Sequence, residues 1–254
     1  MLAERRRRLI LDILGEKGSV SAVELHRRLA VSRETIRRDI VRLAHENRLR
    51  KTHGGALSID SVEPAFAERL GVNVDAKRAI GRLAATLVPD GASVIIDCGT
   101  TALCLAEALI ASRRLTVYTN DIHVAGRLAG RNDNCVLLLG GEVQGGEGAT
   151  LGRDTTAMLA NYFADFAFIG VSALTPRPSL MDYNREHAEF HAQMILSSRR
   201  TVLLADHTKF NRFAPVRVTH LERVHHLVTD RAPTGALAEA LATLPLEIMV
   251  AGGT

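Results

Sequence analysis

Val31-Ser32-Arg33-Glu34-Thr35-Ile36-Arg37-Arg38-Asp39-Ile40 reads as the start of a helix with two unlike faces. Ser32 can cap it by accepting a backbone N–H of the first turn. Ile36, Ile40 and Leu43 recur at i, i+4 and i+7, which predicts an inward stripe on a helix from Arg33 to about Asn47. Arg33, Glu34, Thr35, Arg37 and Arg38 lie away from that stripe. Working upstream, Ser21 can cap a second helix carrying Val23, Leu25 and Leu29. Glu4 to Gly15 predicts a first helix with Leu9, Ile10, Ile13 and Leu14 on one side, ended by Gly15 and Gly18. Working downstream, Leu49 to Leu57 is basic, contains glycine and suits a β-hairpin.

Two capped helices joined by a tight break match a helix-turn-helix. In that motif the start of the second helix enters the DNA major groove. An arginine fork can pair with a guanine edge or clamp a phosphate. Hydroxyls and free N–H groups at the helix start can donate to phosphate. The predicted DNA-contacting set is therefore Ser32, Arg33, Thr35, Arg37 and Arg38, with Lys51 and His53 on the hairpin acting as a wing does. Each arginine taken singly fits a solvated helix face equally well; the order of the parts favours DNA.

Charge along the chain agrees. Residues 1–57 carry 14 Lys and Arg against 7 Asp and Glu, net +7, and the remainder carries 18 against 21, net −3. A basic head on a mildly acidic body suits a polyanion-binding module. Hydrophobic residues make up 46% of the 254, with 4% aromatic and no Trp, so the core must be aliphatic. No apolar run reaches the roughly 20 residues of a membrane-spanning helix. Arg5–Arg8 before Leu9-Ile10-Leu11 is not read as a signal peptide, because Asp12 and Glu16 interrupt the apolar run. Cys98, Cys104 and Cys135 show no metal-ligand pairing, and a reduced cytoplasmic setting is expected.

Residues 1–57 are read as the DNA-binding domain, 58–74 as a linker and 75–254 as a sensing and oligomerisation domain. Beyond the linker, strand candidates alternate with helical stretches such as Thr101–Ala111, Asp121–Ala129 and Arg185–Ser198. The strands are Ser93–Asp97, Leu115–Thr119, Cys135–Leu139, Phe166–Gly170, Thr201–Ala205, His226–Thr229 and Glu247–Val250. This alternation predicts an α/β domain with a mostly parallel sheet covered on both faces.

Asp97-Cys98-Gly99-Thr100-Thr101 runs from a strand into a helix. Gly99 permits an unusual turn, and two hydroxyls sit where a helix offers unpaired N–H groups, an arrangement suited to phosphate. The same spacing also suits a plain strand–turn–helix connection with Thr as cap. Other strand ends, Thr119-Asn120-Asp121, Leu139-Gly140-Gly141-Glu142 and Ala205-Asp206-His207-Thr208-Lys209, would face the same crevice. Lys209 would supply a cation there, or be a solvated lysine. Neither GxGxxG nor a nucleotide-binding P-loop is present, so no NAD or ATP is expected, and no cofactor. His187-Ala188-Glu189-Phe190-His191 superficially resembles a zinc motif, but the Glu is misplaced and no third ligand is indicated. No metal is expected.

The run from Val31 to Ile40, followed by Arg50-Lys51-Thr52-His53-Gly54-Gly55-Ala56, resembles the N-terminal signature of the DeoR family of transcription regulators. DCGTT, YTND, LLGG, DFAFIGVSAL and ADHTKF resemble the landmarks of that family's sensor domain, so the likeness spans about Arg5 to Asp230. The resemblance implies a winged helix-turn-helix binding operator DNA as a homo-oligomer, dimer or tetramer. It also implies a sensor similar in fold to ribose-5-phosphate isomerase and related sugar-phosphate enzymes. Carried over by motif, it implies phosphate binding by Gly99, Thr100 and Thr101, and a pocket lined by Asp97, Asn120, Gly141 and Lys209. Asp182 and Glu186 become possible hydroxyl contacts.

The acidic DGAD-type cluster of the isomerases is replaced here by Phe168-Ile169-Gly170-Val171-Ser172. Isomerisation needs a base and an enediolate stabiliser, so binding without catalysis is expected. The alternative is an isomerase-like enzyme with an appended DNA-binding head. Ser179 to Glu186 resembles the glycerol-3-phosphate regulon repressors within the family. That favours glycerol 3-phosphate as effector, among phosphorylated sugars and polyols.

Overall fold

The computed structural model describes residues 2–46, 48–52, 54–58, 63–144, 146–176 and 179–252. The chain divides into two compact units, Met1–Glu63 with Arg212–Pro215, and Pro64–Asn211 with Val216–Thr254.

The first unit contains α1 (Ala3–Lys17), β1 (Ser19–Ser21), α2 (Ala22–Leu29), α3 (Arg33–His45), β2 (Leu49–Lys51) and β3 (Gly55–Ser58). The Ser21 and Ser32 hydroxyls cap α2 and α3, accepting from the N–H groups of Glu24 and Thr35 at 3.1 Å each. Ile10, Leu14, Leu25, Leu29, Ile36, Ile40 and Leu43 form the core. Val23 is 42% exposed, because it lies about 200° around α2 from Leu25. The wing is a three-stranded antiparallel sheet in the order β1-β3-β2. The hairpin was legible in sequence; β1 was not, because three residues carry too little alternation to register.

The second unit contains α4 (Phe66–Leu70), α5 (Val74–Ala85), β4 (Ser93–Ile96), α6 (Thr100–Ala108), β5 (Thr116–Thr119), α7 (Ile122–Leu128) and β6 (Cys135–Leu138). There follow β7 (Glu142–Gln144), β8 (Ala149–Leu151), α8 (Arg153–Leu159), β9 (Ala164–Gly170), β10 (Ala173–Thr175), β11 (Ser179–Asp182) and α9 (Arg185–Leu196). The last elements are β12 (Ser198–Ala205), β13 (Val216–Arg217), β14 (Val224–Thr229), α10 (Gly235–Leu241) and β15 (Glu247–Val250).

All seven strand candidates fall in one parallel sheet, ordered β15-β14-β12-β9-β4-β5-β6. Alternation along β9 shows how it is covered. Phe166 and Phe168 pack with Ile80, Leu105 and Val124 of α5, α6 and α7. Ala167 and Ile169 pack on the other face with Leu159, Phe190, Met194 and Leu237 of α8, α9 and α10. Where α5 crosses α6, a Cβ at Gly81 would lie 2.6 Å from the Cys104 carbonyl carbon, so that crossing admits only glycine without a shift.

The chain builds outward from β4 through β5 to β6, then returns to β9 on the other side of β4 and builds the opposite way. The strand order therefore reverses between β4 and β9, and ligands of open α/β sheets bind beyond the strand tips at such a point.

Two small antiparallel sheets, β7-β8 and β10-β11-β13, lie outside this sheet, in strands too short to show alternation in sequence. The linker reading of 58–74 also needs correction. Phe66 and the rest of α4 fold onto the second unit: Phe66 is buried and stacks on His123 with ring centroids 5.2 Å apart. Five residues are too short to show helical periodicity, so their tertiary contacts were invisible in sequence.

Candidate functional site

On α3 the inward stripe holds the helix while Arg33, Arg37 and Arg38 remain exposed. Thr35 is half-buried, and its hydroxyl lies 2.8 Å from Ser32 Oγ, so both hydroxyls stand at the helix start. Arg38 pairs with Glu34 one turn earlier, at 3.4 Å and with both side chains largely in water. Such a pair contributes about 0.3–0.5 kcal/mol and yields readily to a phosphate. Lys51 is exposed at the end of β2. His53 lies outside the described residues, as does Asn47, and α3 ends at His45.

Asp39, the second acid of the quoted stretch, turns inward. Its carboxylate takes the Arg6 guanidinium at 2.5 Å, with Arg7 4.0 Å away, tying α3 to α1. Sequence reasoning missed this pair because residues 33 apart show no common periodicity.

In the second unit the β4–α6 turn stands at the reversal point. Gly99 is the N-cap of α6 with φ 102°, a conformation that a side chain strains. Its N–H donates to Asp121 Oδ2 at 3.2 Å. Burial pushes the Asp121 carboxyl up, against the N–H groups of Val124, His123 and Gly99. Thr100 is buried and Thr101 half-buried, and the first turn of α6 carries no acid. A helix start whose own first turn offers N–H groups and hydroxyls and holds no acidic residue favours an anion, although the Asp121 carboxylate already takes the Gly99 N–H.

Cations gather around this turn. Lys209 closes a short 3-10 turn whose cap is Asp206, which accepts from the Thr208 N–H at 2.9 Å and from Asn73 Nδ2 at 3.1 Å. Burial raises the Asp206 carboxyl, but the Thr208 bonds, Lys209 and Asn73 outweigh it and hold the group below its ordinary value. Lys77 of α5 is buried and donates to the Arg69 carbonyl at 2.6 Å. Burial pushes its ammonium down, Asp206 opposes this and Lys209 adds to it. Arg69 of α4 pairs with Glu147, and its Nη1 lies 3.7 Å from where a Cβ on Gly99 would sit.

Arg69 and Lys77 belong to no motif of the sequence, and Asp206 is marked there only as part of the strand end Ala205–Lys209. Lys77 did carry a signal: with Ile80, Gly81 and Ala84 it lies on the buried stripe of α5. A lysine there must have a polar reason.

The other expected residues divide. Asn120 is fully buried and donates to the Thr150 carbonyl at 2.9 Å, joining the tip of β5 to β8. Gly141 has φ 143°, and a Cβ there would meet Thr155 Oγ1 at 2.4 Å. Glu186 stands in the first turn of α9, with Oε1 4.0 Å from a Cβ built on Gly152. Asp97 and Asp182 are buried and both contact His191, at 2.8 and 3.0 Å.

Residues 6–62 match the DeoR-like helix-turn-helix domain, and residues 72–231 match the DeoR C terminal sensor domain. The chain is 31% identical over 242 residues to the glycerol-3-phosphate regulon repressor of Escherichia coli (strain K12), covering 95% of this chain and 96% of that protein. It is 35% identical over 231 residues to the glycerol-3-phosphate regulon repressor of Haemophilus influenzae, covering 91% and 90%. A ribose 5 phosphate isomerase A structure from Neisseria gonorrhoeae aligns with 53% of this chain and 52% of its own, at 18% identity and a TM-score of 0.38. A likeness that weak carries no argument about chemistry.

Proposed function

This chain belongs to the DeoR family of transcription regulators, and on that premise we propose that it represses a carbohydrate or polyol catabolic operon and is released from its operator by a phosphorylated metabolite. Ser32, Arg33, Thr35, Arg37, Arg38, Lys51 and His53 contact the operator. Gly99, Thr100 and Thr101 hold the phosphate, with Lys209, Lys77 and Arg69 supplying positive charge, and Glu186 is offered to hydroxyl groups. Asn120 and Gly141 shape the crevice wall. Asp97 and Asp182 belong to the floor.

One observation carries the effector half of this reading: the start of α6, whose first turn holds no acidic residue, lies at the strand-order reversal, and Thr100 there lines one cavity with buried Lys77. A buried cation is costly unless compensated, and a phosphate dianion compensates it. Glycerol 3-phosphate is the favoured effector, on the strength of the two repressors to which the chain is similar.

Release requires the effector to bind one arrangement of the oligomer more tightly than the one matching the operator half-sites. Titrating phosphorylated sugars and polyols into a repressor–operator complex tests this. Release by glycerol 3-phosphate supports the proposal, and release by a different phosphate ester replaces the ligand only. Retention of DNA under every one of them, or turnover of ribose 5-phosphate by the purified chain, overturns it.

A further inference from the structure

We infer that His191 is a positioning residue of the effector site: it ties Asp97, at the root of the Gly99–Thr101 turn, to Asp182 on the small antiparallel sheet, and it holds one positive charge beneath the place where an anion docks. This rests on the reading of that turn as a phosphate site.

The pair that resembles a zinc motif in sequence has a different use in the fold. His187 and His191 lie one turn apart on the inward face of α9, with ring centroids 6.1 Å apart. They grip consecutive residues of one loop. His191 Nε2 lies 2.8 Å from Asp97 Oδ2, and His187 Nε2 lies 3.7 Å from Cys98 Sγ. Gly99 follows directly.

The His187 ring is itself oriented. Asn184 Oδ1 accepts the His187 backbone N–H at 2.8 Å, which turns the Asn184 amide nitrogen toward His187 Nδ1 at 2.6 Å. An amide donating to Nδ1 leaves the ring proton on Nε2, facing the Cys98 sulfur.

His191 spans two layers. Asp97 Oδ2 also accepts the Gly170 N–H at 2.9 Å, so it bridges β4 and β9 at the reversal point. On the other side His191 Nδ1 forms an ion pair with Asp182 Oδ2 at 3.0 Å. Asp182 Oδ1 accepts from the Tyr183 N–H at 2.7 Å and from Ser172 Oγ at 3.3 Å, and its strand β11 pairs with β13.

The cluster holds two carboxylates and one imidazolium, all buried. Burial would strip the His191 proton, but Asp97 and Asp182 outweigh it and raise the ring to about 10. Asp97 Oδ1 is buried with no hydrogen-bond partner among the described residues. Without the imidazolium, two carboxylates would face an incoming dianion across a poorly screened interior.

The test is calorimetric titration of the full chain with inorganic phosphate and with glycerol 3-phosphate, alongside operator binding without effector. His191→Gln is expected to weaken phosphate about tenfold or more, with operator affinity unchanged. His191→Lys, which keeps the charge, restores phosphate binding. Asp182→Asn removes one negative charge and tightens inorganic phosphate. A role confined to packing would weaken phosphate in all three variants, and that result overturns the inference. So does wild-type affinity in His191→Gln. Should His191→Gln fail to fold, the opposite signs expected of Asp182→Asn and of packing damage still decide. If the wild-type chain binds neither ligand, the phosphate reading of the turn fails first and takes this inference with it.

Discussion

The two proposed recognition surfaces place charge in opposite ways. On the outer face of α3 the arginines stand in water, and the ion pairs they make there are solvated: Arg38–Glu34 is 77% and 62% exposed, Arg42–Glu46 64% and 39%. Around the β4–α6 turn, Lys77, Asp97, Asp121, Asp182, His191 and Asp206 are all buried. On the proposed function the difference follows from the ligands. A DNA groove comes to the protein surface and brings its own counter-charge, so cations can wait solvated. A small metabolite must be enclosed, so its partners are desolvated in advance and must be held by one another until it arrives.

That contrast can be broken at several points. The largest effect concerns stability against pH. The folded-state value of His191 is raised to about 10, so its contribution is fully present below the unfolded value of about 6.5. It is lost as pH rises toward about 10. Urea unfolding followed by tyrosine fluorescence should therefore show the second unit losing stability between these limits. Tyr118, Tyr162 and Tyr183 all lie in that unit, so the signal reports on it alone. His191→Lys should flatten the profile, and a flat wild-type profile would remove the imidazolium from this account.

Gly99→Val comes next. A β-branched side chain at φ 102° costs about 1–3 kcal/mol of strain and obstructs the helix start. Effector affinity measured by calorimetry should fall at least about tenfold, with operator binding retained. Lys77→Met, similar in volume but uncharged, should weaken phosphate esters while leaving gel-shift affinity for the operator intact.

On the other surface, Arg37→Ala and Arg38→Ala should each cost about 1–3 kcal/mol of operator binding if they read a base. If they touch phosphate only, the salt slope should drop by about 1. Effector affinity should not change in either. The smallest effect is expected of Glu34→Gln: the exposed pair with Arg38 is worth at most about 0.5 kcal/mol, within the error of a denaturation curve. A large loss there would erase the distinction between the two surfaces.

Legibility differed between the surfaces for the same reason. The α3 face could be read directly, because exposed arginines and buried isoleucines separate cleanly at a period of 3.6. The parallel sheet was equally plain, since strands covered on both faces are continuous apolar runs. The crevice was read in part. Gly99-Thr100-Thr101 and Lys209 stood out as turn chemistry at strand ends. Arg69 sits on a five-residue helix inside what reads as linker, and Lys77 is hidden in an otherwise apolar stripe. The two histidines of α9 show in sequence only a metal-like spacing, while their partners Asp97 and Cys98 lie about 90 residues earlier in the chain.

Local order therefore determined the helices, their serine caps, the arginine face and the alternation of strand and helix, since each depends on neighbours within a few residues. Only the tertiary structure decided which charges meet. It set the reversal of strand order that brings Asp97 to Gly170, the fold of α4 that brings Arg69 beside Gly99, and the α9 register that seats His191 between two acids. Such pairings rest on desolvation and on distances through space, and separation along the chain encodes neither.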